Sequence, residues 1–172
     1  PNTLFVAGDV AATATNIMAN ETLFRLSIVS ALLTQVVQIF VVLYLYKVLK
    51  PAGKNLAMLM VIFILVAVPI AMLNELNQVA VLILLNGAEY LTAFTADQIQ
   101  ALVGLFLDLR HAGIVIAQIF WGLWLFPMGY LVFKSNYIPK IIGILLIIAC
   151  FGYLVDSFTV TAKGTYKSNL IV

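Results

Sequence analysis

Residues 99–134 read IQALVGLFLDLRHAGIVIAQIFWGLWLFPMGYLVFK. The segment is almost entirely apolar, and a charged interruption at Asp108-Leu109-Arg110-His111 contains the only His of the chain. A helix needs about 20 apolar residues to cross the hydrocarbon core of a bilayer, so a helix here spans a membrane with residues to spare. A charged group inside such a helix is costly unless it is paired or reaches water, so the interruption requires a structural or functional reason.

The composition of the whole chain indicates the same class of protein. Of the 172 residues, 64% are hydrophobic and 9% are charged, whereas a soluble domain is about half apolar and a quarter charged. A net charge of +2 is too small for a nucleic-acid-binding surface, so no nucleic-acid partner is expected. A single cysteine allows no disulfide within the chain. We therefore predict an all-α integral membrane protein that forms one bundle.

Turn and capping signals divide the chain into helices. Pro and Gly mark a turn at residues 50–54, Asn86-Gly87 and Pro139 mark two more, and Thr95 to Gln98 has the spacing of a capping box. The prediction is a polytopic transmembrane helix bundle with a short interfacial N-terminal helix and four spanning helices. The predicted ranges are 10–19 for the interfacial helix and 21–48, 55–86, 97–133 and 139–161 for the spanning helices.

The distribution of lysines predicts the orientation of the bundle. Lys47, Lys50 and Lys54 lie in or beside the first turn, and Lys134 and Lys140 flank the last one. The loop between the second and third spanning helices has acidic residues but no Lys or Arg. Because cytoplasmic loops carry an excess of basic residues, both turns are expected in the cytoplasm and the middle hairpin outside, in a multi-pass protein of the cell membrane.

Polar residues of all four spanning helices fall at one predicted depth. We counted inward from the cytoplasmic turns at about 1.5 Å per residue, across a hydrocarbon core of about 30 Å. This places nine polar residues at the outer leaflet boundary, where they form a candidate binding cluster. In it His111 would carry protons, Glu75 and Asp156 would bind cations or accept protons, and an arginine would hold an anionic head group. The cluster comprises Arg25, Asn74, Glu75, Asn77, Gln78, Asp108, Arg110, His111 and Asp156.

A purely structural interpretation of the same residues stays open. Charges at the membrane boundary reach water, and Asp108 would pair with Arg25 or Arg110 without any ligand. The first spanning helix also carries Ser27, Ser30, Thr34 and Gln38 on one face. Such a polar stripe predicts a face that points into the bundle and forms hydrogen bonds between helices.

Several segments carry a resemblance to a known family. They are FRLSIVS (24–30), AVPIAMLN (67–74), IAQIFWGLWLFPMGY (116–130), IPKIIGILL (138–146) and GYLVDSF (152–158). Together they resemble a bacterial family of multi-spanning membrane proteins, domain of unknown function 4386. The resemblance implies one further helix on each side of this chain, six in total, with both termini cytoplasmic. Both ends of the chain look cut, which agrees with that expectation. The resemblance implies no activity, ligand or catalytic residue.

Three functions remain open at this stage. The first is binding or transport of a small molecule or ion through the polar cluster, and the second is a structural or accessory subunit of a larger membrane complex. The third is a lipid-modifying membrane enzyme, although the chain has no His-x-x-x-His, no Gly-rich phosphate loop and no Gly-x-Ser-x-Gly. No catalytic residue, metal ligand or cofactor is therefore assigned. The expected partners are membrane lipids and, under the second hypothesis, other membrane-protein subunits.

Overall fold

The computed structural model describes residues 4–6, 8–135 and 138–163, which form helices and short connections without any strand. The predicted all-α class is therefore confirmed. In chain order the elements are α1 (Val10–Ala19), α2 (Glu21–Leu49), α3 (Lys54–Asn74), α4 (Leu76–Leu85), a short 3-10 helix (Glu89–Ala93), α5 (Ala96–Leu123), α6 (Leu125–Ser135) and α7 (Lys140–Lys163).

Four helical segments of this described part are long and apolar enough to cross a membrane. They contain 29, 32, 40 and 23 residues and are Glu21–Leu49, Lys54–Leu85, Ala96–Ser135 and Lys140–Ala162. Their outer faces expose large apolar side chains, among them Leu33, Phe40 and Ile148. Such faces suit lipid rather than water. The chain is thus a multi-pass membrane protein with four spanning segments and a short N-terminal helix, as predicted.

The second spanning segment is broken at Glu75, between α3 and α4. The sequence predicts one continuous helix with Pro69 inside it, and the helix does pass Pro69 without ending. The helix ends six residues later, at Glu75, where the Asn77 side-chain amide donates to the backbone carbonyl of Asn74 at 3.0 Å. The Gln78 N–H donates to the carbonyl of Glu75, also at 3.0 Å. The break therefore arises because a side chain competes for the helical backbone, not because of the proline.

The third spanning segment is broken at Trp124, between α5 and α6. Here a proline does explain the break, because Pro127 has no N–H for the carbonyl of Leu123 and its ring clashes with that group. The Trp124 N–H still donates to the carbonyl of Phe120 at 3.1 Å, which completes α5. The single helix predicted over residues 97–133 is therefore two helices in the structure.

Two apolar cores hold the helices together. The first lies near the hairpin and joins α1, α2, α4 and α5 through buried residues such as Ile17, Phe24, Val81 and Val103. The second joins α2, α3 and α6 and includes Val42, Met60, Ile64 and Leu131. The α1 helix belongs to the first core, because it contacts α5 and α2 and buries Thr13, Ala14 and Ile17.

The polar stripe of α2 points outward, so its predicted inward direction is wrong. Ser27, Ser30 and Thr34 are exposed, and Gln38 is half-buried. The Ser27 hydroxyl donates to the carbonyl of Phe24 at 2.7 Å, and the Thr34 hydroxyl donates to the carbonyl of Ser30 at 2.8 Å. Because these hydroxyls bond within their own helix, they can face lipid without an unpaired polar group.

Gly129 of α6 and Gly143 of α7 allow a close contact between these two helices. A Cβ atom at Gly143 would lie 2.6 Å from the carbonyl oxygen of Gly129, and a Cβ at Gly129 would meet the Gly143 carbonyl at the same distance. Close approach of small residues is a common basis of helix packing in lipid, where no hydrophobic effect drives helices together.

Two substitutions in α7 test this packing and are expected to have opposite signs. A methyl group at Gly152 would have no neighbouring atom within 4 Å, so Gly152→Ala gains helix propensity and raises the free energy of unfolding by up to about 1 kcal/mol. Gly143→Ala meets a backbone carbonyl and lowers it by about 1–3 kcal/mol. Unfolding in mixed detergent micelles measures both. Equal effects of the two substitutions would contradict the close contact.

Candidate functional site

The break between α3 and α4 turns three polar side chains into the bundle. Asn74, Glu75 and Gln78 are 7%, 8% and 2% exposed, and both helices pack here against α5. A buried carboxylate within a spanning segment is costly, and such residues usually pair with one another or mark a pathway. We call the group formed by Asn74, Glu75, Asn77, Gln78 and Arg110 the break cluster.

The carboxylate of Glu75 has two partners in the break cluster. Its Oε2 accepts a hydrogen bond from Nε2 of Gln78. Its Oε1 lies 4.0 Å from Nη2 of Arg110, whose side chain is 26% exposed. This second distance is beyond the usual range of a charge-assisted hydrogen bond, about 2.7–2.9 Å. The two charges therefore attract each other without a direct hydrogen bond.

The Arg110 guanidinium is incompletely satisfied. Its Nε is buried and has no hydrogen-bond partner among the described residues. A buried donor without an acceptor costs about 1–3 kcal/mol, more when the group is charged. The arrangement therefore leaves one N–H donor of the Arg110 guanidinium without an acceptor near Glu75.

Asn74 attaches the break to α5. Its Nδ2 donates to the backbone carbonyl of Arg110 at 2.8 Å, and its Oδ1 accepts from Nδ2 of Asn77 at 2.9 Å. Gly113 lies directly opposite, and a side chain there would overlap the Asn74 amide. The absence of a side chain at Gly113 thus allows α3 to approach α5 closely enough for this bond.

Gly113 belongs to the site although the sequence interpretation did not include it. The available signal was its position three residues after Arg110, on the same helical face. A glycine on the polar face of a spanning helix indicates a close helix contact.

The other four predicted site residues lie elsewhere. Arg25 is exposed and pairs with Glu21 of its own helix at 2.6 Å. Asp108 lines a groove with Val10 and Asp97, whereas Asp156 lines a different groove with Gln118 and Tyr153. His111 is half-buried and takes part in none of the hydrogen bonds found among the described residues. The structure thus brings together five of the nine residues, whereas Arg25 and Asp156 are exposed and Asp108 and His111 are half-buried outside the break cluster.

The break cluster contains one carboxylate and one guanidinium whose closest atoms are 4.0 Å apart. Within residues 4–6, 8–135 and 138–163, no three His, Cys, Asp or Glu side chains converge as a metal site requires. One carboxylate and one guanidinium face each other instead, among three amide side chains. Charges attract more strongly in such a buried environment than in water, so either partner can hold a ligand of opposite charge.

The sequence pattern of the family described as Domain of unknown function (DUF4386) matches residues 1–171. This chain belongs to the DUF4386 family. An uncharacterized protein of Archaeoglobus fulgidus is 35% identical over 132 residues, which cover 76% of this chain and 64% of the archaeal protein. The chain therefore spans less than two thirds of that relative's length. No solved structure matches it.

Membership in DUF4386 confirms the resemblance found in the sequence and agrees with the spanning helices. Because the relative is archaeal, the bacterial origin given to the family from the sequence is not confirmed. The chemistry of this DUF4386 member has to be argued from its own residues.

Proposed function

We propose that this DUF4386 chain binds a small anionic molecule at the break cluster, as part of a membrane transport protein. The observation that carries the proposal is the pair of the buried Glu75 and the half-buried Arg110 at the break of a spanning helix. The charges are 4.0 Å apart, and Nε of Arg110 lacks a partner among the described residues. An anion would accept the hydrogen bond that Nε of Arg110 can donate. It would also replace Glu75 as the negative charge closest to the guanidinium.

Transport is favoured over simple binding by the helix break itself. Transporters commonly hold their substrates where a spanning helix is discontinuous, because the free backbone groups and the hinge both lie there. The break cluster combines such a discontinuity with a buried carboxylate that lies 4.0 Å from a guanidinium.

Ligand-induced stabilisation of the purified chain tests the binding step. Acetate and succinate are the probes, and the melting temperature in detergent is the readout. A ligand at about 100 times its Kd adds about 2.7 kcal/mol of stability. We expect at least one probe to stabilise the native chain, and Arg110→Gln to weaken its binding by about tenfold or more, since it removes a charged donor.

Two further variants sharpen this test. Glu75→Gln is expected to tighten binding of the anion, because it removes the carboxylate that competes for Arg110. Arg25→Gln is the matched control: it removes the other arginine of the chain, which is exposed and remote from the break cluster, and it should leave the stabilisation unchanged. The proposal fails if no probe stabilises the chain, or if Arg110→Gln and Arg25→Gln have the same effect.

For the orientation of the bundle, we propose that the first turn faces the cytoplasm and the hairpin the outside, which the lysines of that turn support. Two single-cysteine variants in a Cys150→Ala background test this, Thr92→Cys in the hairpin and Lys54→Cys in the turn. Both positions are exposed. In intact cells a membrane-impermeant maleimide should label the Thr92→Cys chain, and the Lys54→Cys chain only after permeabilisation. The reverse labelling pattern would contradict the orientation.

A further inference from the structure

A second candidate site lies between α2 and α4, and none of the residues that line it belongs to the break cluster. The α2 helix packs along α3 but makes few contacts with α4, and a groove of about 520 Å³ opens between them near the hairpin. Its inner part is apolar: Ile28 and Val29 line it from α2, and Val79, Leu82 and Ile83 line it from α4. A groove of this kind, open to the bilayer, accommodates a hydrocarbon chain.

The outer end of the same groove is polar. Arg25 lies in the first two turns of α2, and Asn86 follows the last residue of α4, so both polar side chains come from the same end of the bundle. Tyr90 of the hairpin lines this end as well. Tyrosine is typical of the membrane–water interface. The groove is therefore polar at the interface and apolar toward the middle of the bilayer, as is a phospholipid.

Opposite charges lie together at the polar end. Arg25 pairs with Glu21 at 2.6 Å, and their side chains are 56% and 33% exposed. Nδ2 of Asn86 reaches the same Glu21 carboxylate at 3.4 Å. An exposed pair one helical turn apart contributes only about 0.3–0.5 kcal/mol, so each partner can accept another group at little cost. The guanidinium still has N–H groups beyond the two that contact Glu21, and their planar arrangement suits a phosphate.

We propose that this groove binds a phospholipid whose head group carries both a phosphate and a primary ammonium. The phosphate accepts hydrogen bonds from Arg25, the ammonium donates to Glu21, and an acyl chain lies along Val29, Leu82 and Ile83. The Glu21–Arg25 pair has no net charge, so it matches a zwitterionic head group better than a head group with a net negative charge. This lipid site is independent of the anion site at Arg110.

Native mass spectrometry of the full chain from detergent micelles tests the proposal. The micelles contain equimolar phosphatidylethanolamine and phosphatidylglycerol, and the readout is the lipid that stays bound. The native chain should retain one phosphatidylethanolamine in preference to phosphatidylglycerol. Arg25→Gln should lower that retention by about tenfold, since it removes a charged donor to the phosphate. Glu21→Gln should shift the preference toward phosphatidylglycerol, because it removes the partner of the ammonium and leaves Arg25 uncompensated.

A pair of bulky substitutions tests the apolar part without altering charge. Ile83→Trp places a large ring in the groove and should lower lipid retention, whereas Ile148→Trp on the exposed face of α7 is the control and should not. Arg110→Gln should also leave retention unchanged, which separates this site from the break cluster. Equal retention of the two lipids by the native chain would overturn the proposal, as would unchanged retention in Arg25→Gln or in Ile83→Trp.

Discussion

Arg110→Met is expected to lower the free energy of unfolding by about 3 kcal/mol, because it leaves the buried Glu75 carboxylate without its counter-charge. Glu75 is 8% exposed, and Gln78 is its only other partner among the described residues. The side-chain amide of Gln78 is neutral and cannot replace the lost positive charge. The measurement is unfolding of the purified chain by a denaturing detergent in mixed micelles.

A double-mutant cycle separates the ion pair from other effects of the same substitution. Glu75→Gln in the Arg110→Met background removes the unpaired charge and should recover most of the lost stability, so the two effects should not add. Arg25→Met is the control for loss of an arginine, and it should change stability by less than about 0.5 kcal/mol because its pair is exposed. Additive effects of Arg110→Met and Glu75→Gln would show that the two side chains do not interact.

Gly113→Ala is expected to destabilise the chain by about 2 kcal/mol, because the added methyl overlaps the side chain of Asn74. The conflict should separate Asn74 from the Arg110 carbonyl and leave both groups without their hydrogen bond. Unfolding in mixed micelles measures the effect, as for Arg110.

Asn74→Ala provides the matched background for this prediction. It removes the amide that the methyl would meet, so Gly113→Ala should cost little in that background, and the coupling between the two positions should be about 1–2 kcal/mol. Gly152→Ala, which meets open space, controls for the change in helix propensity. A Gly113→Ala chain as stable as the native one would refute the close contact of α3 with α5.

The sequence was sufficient for the class, the spanning helices and part of the site. A soluble fold of 172 residues cannot bury the apolar surface of a chain that is 64% hydrophobic, which indicates a membrane protein. Turn residues separate the apolar segments and so mark the spanning helices. Asn74, Glu75, Asn77 and Gln78 could be grouped because they lie within one and a half turns of one helix. Arg110 lies on another helix, and it was grouped with them because it falls at the same predicted depth in the membrane.

The details of pairing required the structure. A depth count orders residues along the membrane normal, but it does not say which faces of the helices meet. The sequence predicted a pair of Asp108 with Arg25 or Arg110, whereas in the structure Glu75 faces Arg110. Arg25 is different, because its partner Glu21 lies four residues away on the same helix and the spacing alone favours that pair.

The two helix breaks illustrate the same limit. Pro127 explains the break at Trp124, since a proline removes a hydrogen bond at a known position. Pro69 does not break its helix. The helix ends instead at Glu75, because the Asn77 side-chain amide donates a hydrogen bond to the backbone carbonyl of Asn74 there. Side-chain competition depends on the rotamers of the competing residues, which sequence spacing does not give. The outward Ser27 and Thr34 hydroxyls have the same explanation.

Nitrogen NMR of the arginine side chains is the most direct test of anion binding at the break cluster. The chain has two arginines, Arg25 and Arg110, so a sample labelled with ¹⁵N at Nε should give two Nε–H signals that the Arg25→Gln variant assigns. The readout is a titration with the probe anion that stabilises the chain most. The account predicts that the Arg110 signal shifts and saturates while the Arg25 signal stays in place. An unmoved Arg110 signal, or an equal shift of both signals, would contradict it.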